Sequence, residues 1–200
     1  MSQSPTGTAR GPYAKTAAVR RRILESALEV FAEYGYRAST MKNVADRAGI
    51  SQRGLVHHFA SKETLLTAVL ADYDAHVALT FPRAEGVHAL RGLVDVIDRD
   101  LATPTIIGLY AILSAEAASP EHAAHDHYRH RYDAFRAYLH SVFEAVRSQG
   151  LLRIDLDSAT LATIFMALID GLQTQWLYDA ASVDPKSTLA EFLDTFVLRE

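Results

Sequence analysis

The chain has 200 residues, 49% of them hydrophobic and 22% charged, with a formal net charge of −4 and no cysteine. That much apolar material excludes wholesale disorder, and the lack of cysteine excludes disulfides and thiolate chemistry. No run approaches the ~18 uncharged apolar residues of a transmembrane helix, and the N-terminal stretch MSQSPTGTARGPYAK lacks the apolar centre of a secretory signal. No membrane partner is expected, and the expected location is cytoplasmic.

In chain order, residues 1–14 are rich in Ser, Thr, Gly and Pro and read as a flexible arm. Arg10 and Lys15 could reach a DNA backbone from there, or the arm is a plain disordered tail. The first helix is predicted from about Thr16 to Tyr34, with Val19, Ile23, Ala27, Phe31 and Tyr34 inward and Gly35 at its end. Arg20, Arg21 and Arg22 face outward on it. Met41, Val44, Ala45 and Ala48 form the apolar stripe of a second, short helix that Thr40 caps and Gly49 stops. Ser51 caps a third, with Leu55, His58 and Phe59 inward. A fourth begins after Ser61 and runs to about Phe81, where Pro82 stops it; it belongs to both halves of the chain, so a signal between them is expected to cross it. Five further helices follow, over about 86–102, 105–118, 119–149, 158–180 and 186–198. Strand-type alternation and internal repeats are absent. The expected fold is all-α with about nine helices, a three-helix head over residues 15–62 joined to a bundle over 63–200.

Charge is divided unevenly. Residues 1–62 hold ten Lys/Arg against four acids, and the other 138 residues hold ten against twenty. A basic head on an acidic body points to a polyanion. Two short helices joined by a tight turn, over about residues 40–59, are the helix-turn-helix arrangement, whose second helix enters the DNA major groove. On a helical wheel, Arg53 and His57 point away from Leu55, His58 and Phe59, with Gln52 and Val56 on one flank and Gly54 on the other. Gln52 suits adenine, Arg53 suits guanine, and Val56 a thymine methyl. Thr40, Lys42, Ser51 and Lys62 lie at helix starts, where phosphates are favoured. Gly54 costs about 1 kcal/mol inside a helix relative to alanine, which either close approach of DNA or tight packing on the preceding helix would explain.

The segments ValAlaAspArgAlaGlyIleSer (44–51), HisHisPhe (57–59) and SerLysGluThrLeuLeu (61–66) resemble the DNA-binding domain of TetR-type transcriptional regulators in order and spacing. The resemblance implies a double-stranded DNA operator, a homodimer and a small-molecule effector. One departure matters. The aromatic pair, commonly tyrosines, that such regulators often carry before the His-Phe is here Val56 and His57, so a tyrosine–phosphate contact cannot be carried over.

In the body, IleAspGlyLeuGlnThrGlnTrpLeuTyrAsp (169–179) resembles the penultimate helix of many such regulators. Leu161, Phe165, Leu168, Leu172, Leu189, Phe192, Leu193 and Phe196 give the last two helices broad apolar surfaces, which are expected to form a four-helix dimer interface. Polar or aromatic residues on otherwise apolar helices are the pocket candidates: Tyr110, Glu116, Phe165, Asp170, Gln173 and Trp176. His122, His125, Asp126, His127 and His130 cluster, with i, i+4 pairs that suit a metal, but Arg129 and Arg131 beside them favour a solvated helix face, and no metal or cofactor is expected. Gly-rich phosphate loops, GxSxG and HExxH are absent, so no enzyme is expected. The expected function is sequence-specific transcriptional regulation, as a repressor released from a palindromic operator by a small molecule. The alternatives are an activator, a ligand-independent regulator, or an all-α protein-interaction module.

Overall fold

A computed structural model describes residues 12–80, 82 and 84–197. It contains nine helices among the described residues: α1 (Pro12–Ala38), α2 (Met41–Ala48), α3 (Gln52–His58), α4 (Lys62–Thr80), α5 (Gly86–Asp100), α6 (Pro104–Glu116), α7 (His125–Ser148), α8 (Ser158–Tyr178) and α9 (Pro185–Phe196). The only pairing of β type among them is an isolated bridge between Leu152 and Val197. None of these helices is long and apolar enough to cross a membrane. Residues 1–11 of the expected arm, Arg10 included, lie outside the described residues, as does Phe81 at the expected end of α4. Residues 12–14 belong to α1 rather than to an arm.

Local chemistry sets the ends of the head helices. Thr40 and Asn43 form a reciprocal box at the start of α2, and Gly49, at φ 64°, ends it by donating its N–H to the carbonyls of Ala45 and Asp46. Ser51 accepts from the Gly54 N–H at 3.1 Å. Ser61 and Thr64 exchange side-chain and backbone bonds of 3.0 and 3.2 Å at the start of α4. In α1, Gly35 at φ 73° and ψ 165° interrupts the helix, and Tyr36–Ala38 continue it past the break. A side chain at Gly35 would meet Glu116 Oε1 at 3.0 Å, so α6 presses on the chain at the break.

One helix starts later than its sequence suggests. Ser119-Pro120 looks like a helix opening, but bonds from His122 N to Ser119 O (3.0 Å) and His125 N to His122 O (2.9 Å) carry the chain through successive turns, and α7 begins at His125. His122 is buried in those turns, and its Nδ1 accepts from the Ala124 N–H. It is therefore not on the α7 face with Asp126.

Two apolar cores divide the molecule, and both draw on residues after 62. The first joins α1–α4 to Leu109, Leu113 and Ala117 of the α6 region and to Ala124 and Tyr128. The second joins α5, α8, α9 and the C-terminal half of α7. Among helix pairs, α1 with α6 is one of the two most extensive, equalled by α7 with α8. The head is thus attached to the body through α6 as well as α4, so a signal between them has a second route beside the expected one across α4. Leu109 and Leu113 are fully buried there, and deleting such a side chain costs about 2–5 kcal/mol.

Candidate functional site

At the head, α3 stands on Leu55 and Phe59, both buried, with the Arg20 guanidinium 4.8 Å from the Phe59 ring centre. Gln52, Arg53 and His57 are exposed and Val56 is 46% exposed, so the four groups that the wheel assigned to one tip do share the open side. Neither Gln52 nor Arg53 has a side-chain partner among the described residues. Arg47 ties α2 to α1 through Glu29, at 3.0 Å, and Glu33. The nearest atom to a side chain at Gly54 would be Ser51 Oγ at 3.3 Å, with nothing from α2 within 4 Å. Packing on α2 is therefore not what holds glycine there; the cap hydroxyl is the neighbour it accommodates.

Thr40, Lys42 and Ser51 are exposed at the starts of α2 and α3, with Lys42 in a surface pair with Asp46 at 2.6 Å. Lys62 differs from its expected role. Its Nζ donates to the carbonyls of Tyr36 at 2.7 Å, Ser39 at 2.8 Å and Arg37 at 3.4 Å, and it lies 4.4 Å from the centre of the Tyr36 ring. An ammonium with its donors satisfied by the end of α1 serves as an internal clamp.

The body holds a cavity of about 590 Å³, open on one side to solvent, between α4, α5, α6, α7 and α8. It lies on the seam between the two cores, since Tyr73, Asp74 and Tyr110 come from helices of the first and Leu93, Ile97, Met166 and Ile169 from the second. Three predicted pocket residues line it: Tyr110, Asp170 and Gln173. The other three do not. Phe165 is fully buried in the second core, 6.0 Å from the Phe143 ring and 6.1 Å from Phe192. Glu116 accepts from the Tyr36 N–H at 3.1 Å at the α1–α6 joint, and Trp176 is half-buried away from the cavity lining.

The residues that sequence reasoning missed supply most of the cavity's polarity. Arg131 donates to Asp74 Oδ1 at 2.7 Å, and its guanidinium stands 4.8 Å from the centre of the Tyr110 ring. Tyr110 donates to the same carboxylate at 3.4 Å, and His127 Nε2 lies 3.4 Å from its other oxygen. Burial alone would weaken the charge on Arg131, but Tyr110, Asp74 and the neighbouring tyrosines hold its pKa above the ordinary value. Tyr132 donates to Asp170 at 2.9 Å. Burial pushes the carboxyl groups of Asp170 and Asp100 above the ordinary range, against the lowering effects of Tyr132 on one and of Arg131 and Tyr73 on the other. Asp170 stays accessible through the cavity, yet protein surrounds it closely enough for this desolvation to prevail. Burial likewise raises Tyr132 to about 12 and keeps Tyr73, Tyr110 and Tyr128 protonated. A signal was present: Tyr128, Tyr132, Phe135 and Tyr138 recur at helical spacing on α7, with Arg131 among them.

The histidine cluster is dispersed. His122 Nε2 lies 3.6 Å from Glu116, His125 bonds the Ala117 carbonyl at 2.8 Å, His127 faces Asp74, and Asp126 pairs with Arg129. No group of three or more His, Cys, Asp or Glu suited to a metal occurs among the described residues.

Most of the expected dimer residues face inward. Leu161, Phe165, Leu172, Leu189 and Leu193 are all less than 7% exposed, holding α8 and α9 against the second core, so their side chains are not available to another chain. Leu168, Phe192 and Phe196 are half-buried and border the outer surface. That surface carries Ile164, Ala167, Leu168, Gly171, Gln175 and Tyr178 along α8, with Tyr178 89% exposed and nothing within 4 Å of a side chain built at Gly171.

Comparison with known proteins places these features among relatives. Residues 23–69 match the family model for bacterial regulatory proteins of the tetR family, and residues 83–199 match that for the C-terminal part of BetI-type transcriptional repressors. The chain is 31% identical to the HTH-type transcriptional regulator SrpR of Pseudomonas putida over 82% of its own length and 78% of the relative's. It is 27% identical to the HTH-type transcriptional repressor AcnR of Corynebacterium efficiens, covering 90% and 93%. Among solved structures, a transcriptional regulator from Saccharomonospora viridis in complex with choline superimposes with a TM-score of 0.76 at 28% identity, covering 92% of this chain and all of that one.

Proposed function

Because the chain belongs to the tetR family of bacterial regulatory proteins and is a helix-turn-helix transcriptional regulator, we propose that it acts in the cytoplasm as a homodimeric repressor, released from a palindromic operator when a small molecule fills the cavity. The observation that carries this reading is the position of the cavity, on the seam between a core that includes the DNA-binding head and a core that includes α8 and α9. A ligand that fits better in one relative placement of the two cores shifts the equilibrium between them, and the head moves with the first. Choline in the Saccharomonospora viridis relative supports a small-molecule site in this kind of bundle.

In this reading Gln52, Arg53, Val56 and His57 meet base edges, while Thr40, Lys42 and Ser51 sit against phosphates. Two copies associate through the outer faces of α8 and α9. Ala167 and Gly171 allow close approach of the helices, and Ile164, Leu168, Phe192 and Phe196 supply apolar area. No chemical step is assigned to the cavity; its groups bind and do not react.

In vitro selection from a random duplex library tests the DNA reading. A palindromic motif preferred over random DNA by about 10³-fold or more is expected. Recovery of no motif would leave a protein-interaction role for the basic head. Light scattering on the eluted protein should give twice the chain mass at micromolar concentration, and a monomer there would sink the dimer.

A further inference from the structure

The cavity carries an unbalanced charge. Three aspartates, Asp74, Asp100 and Asp170, and one arginine, Arg131, line it, together with His127 and His130. One of the three carboxylates is matched, since Asp74 holds Arg131 at 2.7 Å and also faces Tyr110 and His127. Neither of the other two forms an ion pair among the described residues; each has a hydroxyl neighbour, and Arg131, already held by Asp74, acts on both only through space. Tyr132 donates to Asp170 at 2.9 Å, and Tyr73 is the hydroxyl beside Asp100. With three carboxylates and one arginine on its lining, the cavity is short of positive charge, and an entering cation relieves that. An entering anion would face both Asp170 and Asp100 and would have to draw Arg131 from Asp74, leaving that group only Tyr110 and His127.

The rest of the lining is suited to the remainder of such a molecule. Tyr128 and Tyr132 bring aromatic rings to the lining, the second bonded to Asp170, and such rings attract a cation. Ile97, Ile106, Ile107 and Ile169 make an apolar wall. At about 590 Å³ the cavity falls in the size class of drug-sized ligands, roughly 300–1,000 Å³, and exceeds what a small ammonium headgroup occupies.

We propose that the cavity takes an amphiphilic organic cation, with its charge held against Asp170 and Asp100 and its apolar body along the isoleucine wall, while Asp74 stays with Arg131. This rests on the cavity being the effector site, and it adds the sign of the ligand and its two-part character.

Calorimetric titration of the full-length dimer with four probes tests it: decyltrimethylammonium, decanol, decyl sulfate and choline. Decyltrimethylammonium should bind tighter than each of the others by about tenfold or more. Asp170→Asn and Asp100→Asn should each reduce its lead over decanol by about tenfold, leaving decanol unchanged. Asp126→Asn, which removes a surface carboxylate outside the cavity, should alter nothing. Thermal unfolding of each variant checks that it folds, and the charge series on the unaltered protein decides the sign by itself. Decyl sulfate binding as well as the cation, or a lead that survives both substitutions, overturns the proposal, as does binding of none of the probes. Choline binding as tightly as the ten-carbon cation overturns the apolar half. Operator release is followed in parallel by anisotropy on the selected duplex. Release by decanol or decyl sulfate would keep the effector reading and discard the cation. Cation binding that depends on the two aspartates without release would keep the cation and discard the effector reading.

Discussion

At the head, every group assigned to base reading lies within α3, a helix of seven residues, and all of them point to the open side. The cavity instead draws side chains from five helices, with Asp74 and Arg131 meeting across 57 positions of sequence. The first surface is made by local spacing and exposure, so single substitutions there should change what is bound and little else. The second is made by tertiary packing, so its polar groups are tied to stability. Their side chains are either matched to each other, as Arg131 is to Asp74, or held at an electrostatic cost until something else arrives.

The sharpest way to break that contrast is to damage the head from the body. Leu113→Ala, on α6 but in the first core, should cost about 2–5 kcal/mol, lowering Tm and weakening operator binding together; intact operator affinity with a lowered Tm would show that the head stands alone. Arg53→Ala should leave Tm unchanged and remove about 1–3 kcal/mol of discrimination at one base pair of each half-site, as read by competition among mutated duplexes. Lys62→Ala tests the clamp: a loss of about 1–2 kcal/mol in chemical denaturation is expected, with the salt slope of operator binding unaltered. A slope reduced by about one would return Lys62 to the phosphates. The smallest effect belongs to Asp170→Asn, which keeps an acceptor for Tyr132. Burial raises the folded pKa of Asp170, so its charged form destabilises the empty protein at neutral pH, and that penalty fades as pH falls through the raised value towards the unfolded one. The variant should therefore melt about 1–4 °C higher at pH 7, with the gain shrinking as the pH is lowered towards the ordinary aspartate range. A gain that grows on acidification would contradict the sign.

The parts of the molecule that were legible in sequence are those fixed by neighbours along the chain. The caps at Thr40, Ser51 and Ser61 and the stop at Gly49 act over three or four residues, and the stripes of α2, of α4 and of α1 as far as Phe31 follow the helical period, whereas Tyr34, expected inward, is 49% exposed beside the break at Gly35. The misreadings share a different cause. Lys62 stands at a helix start, where spacing suggests an anion, but its long stem folds back onto carbonyls 23 to 26 positions earlier. Ser119-Pro120 resembles a helix opening, but burial of His122 and Ala124 favours a chain of turns. On α8 and α9 the strongest apolar periodicity marks the side facing the protein's own core, so it pointed away from the weaker outer stripe of Ile164, Ala167 and Gly171. Glu116 was recognisable as a polar residue on an apolar helix, but not that its partner would be a backbone amide 80 positions away.

The placement of α6 sets a rule for how such a protein diversifies. Its Leu109 and Leu113 fill the core beneath the head, while its Ile106, Ile107, Tyr110, Ala111 and Ser114 line the cavity. Changes on this helix that reach Leu109 or Leu113 disturb the part that recognises the operator, so ligand preference is retuned more safely elsewhere. Lineages that keep one operator while acquiring new inducers should therefore accumulate their changes on α5, α7 and α8. A library built to re-educate this sensor has the same instruction: vary Val96, Phe135, Gln173 and Thr174, and leave α6 as inherited.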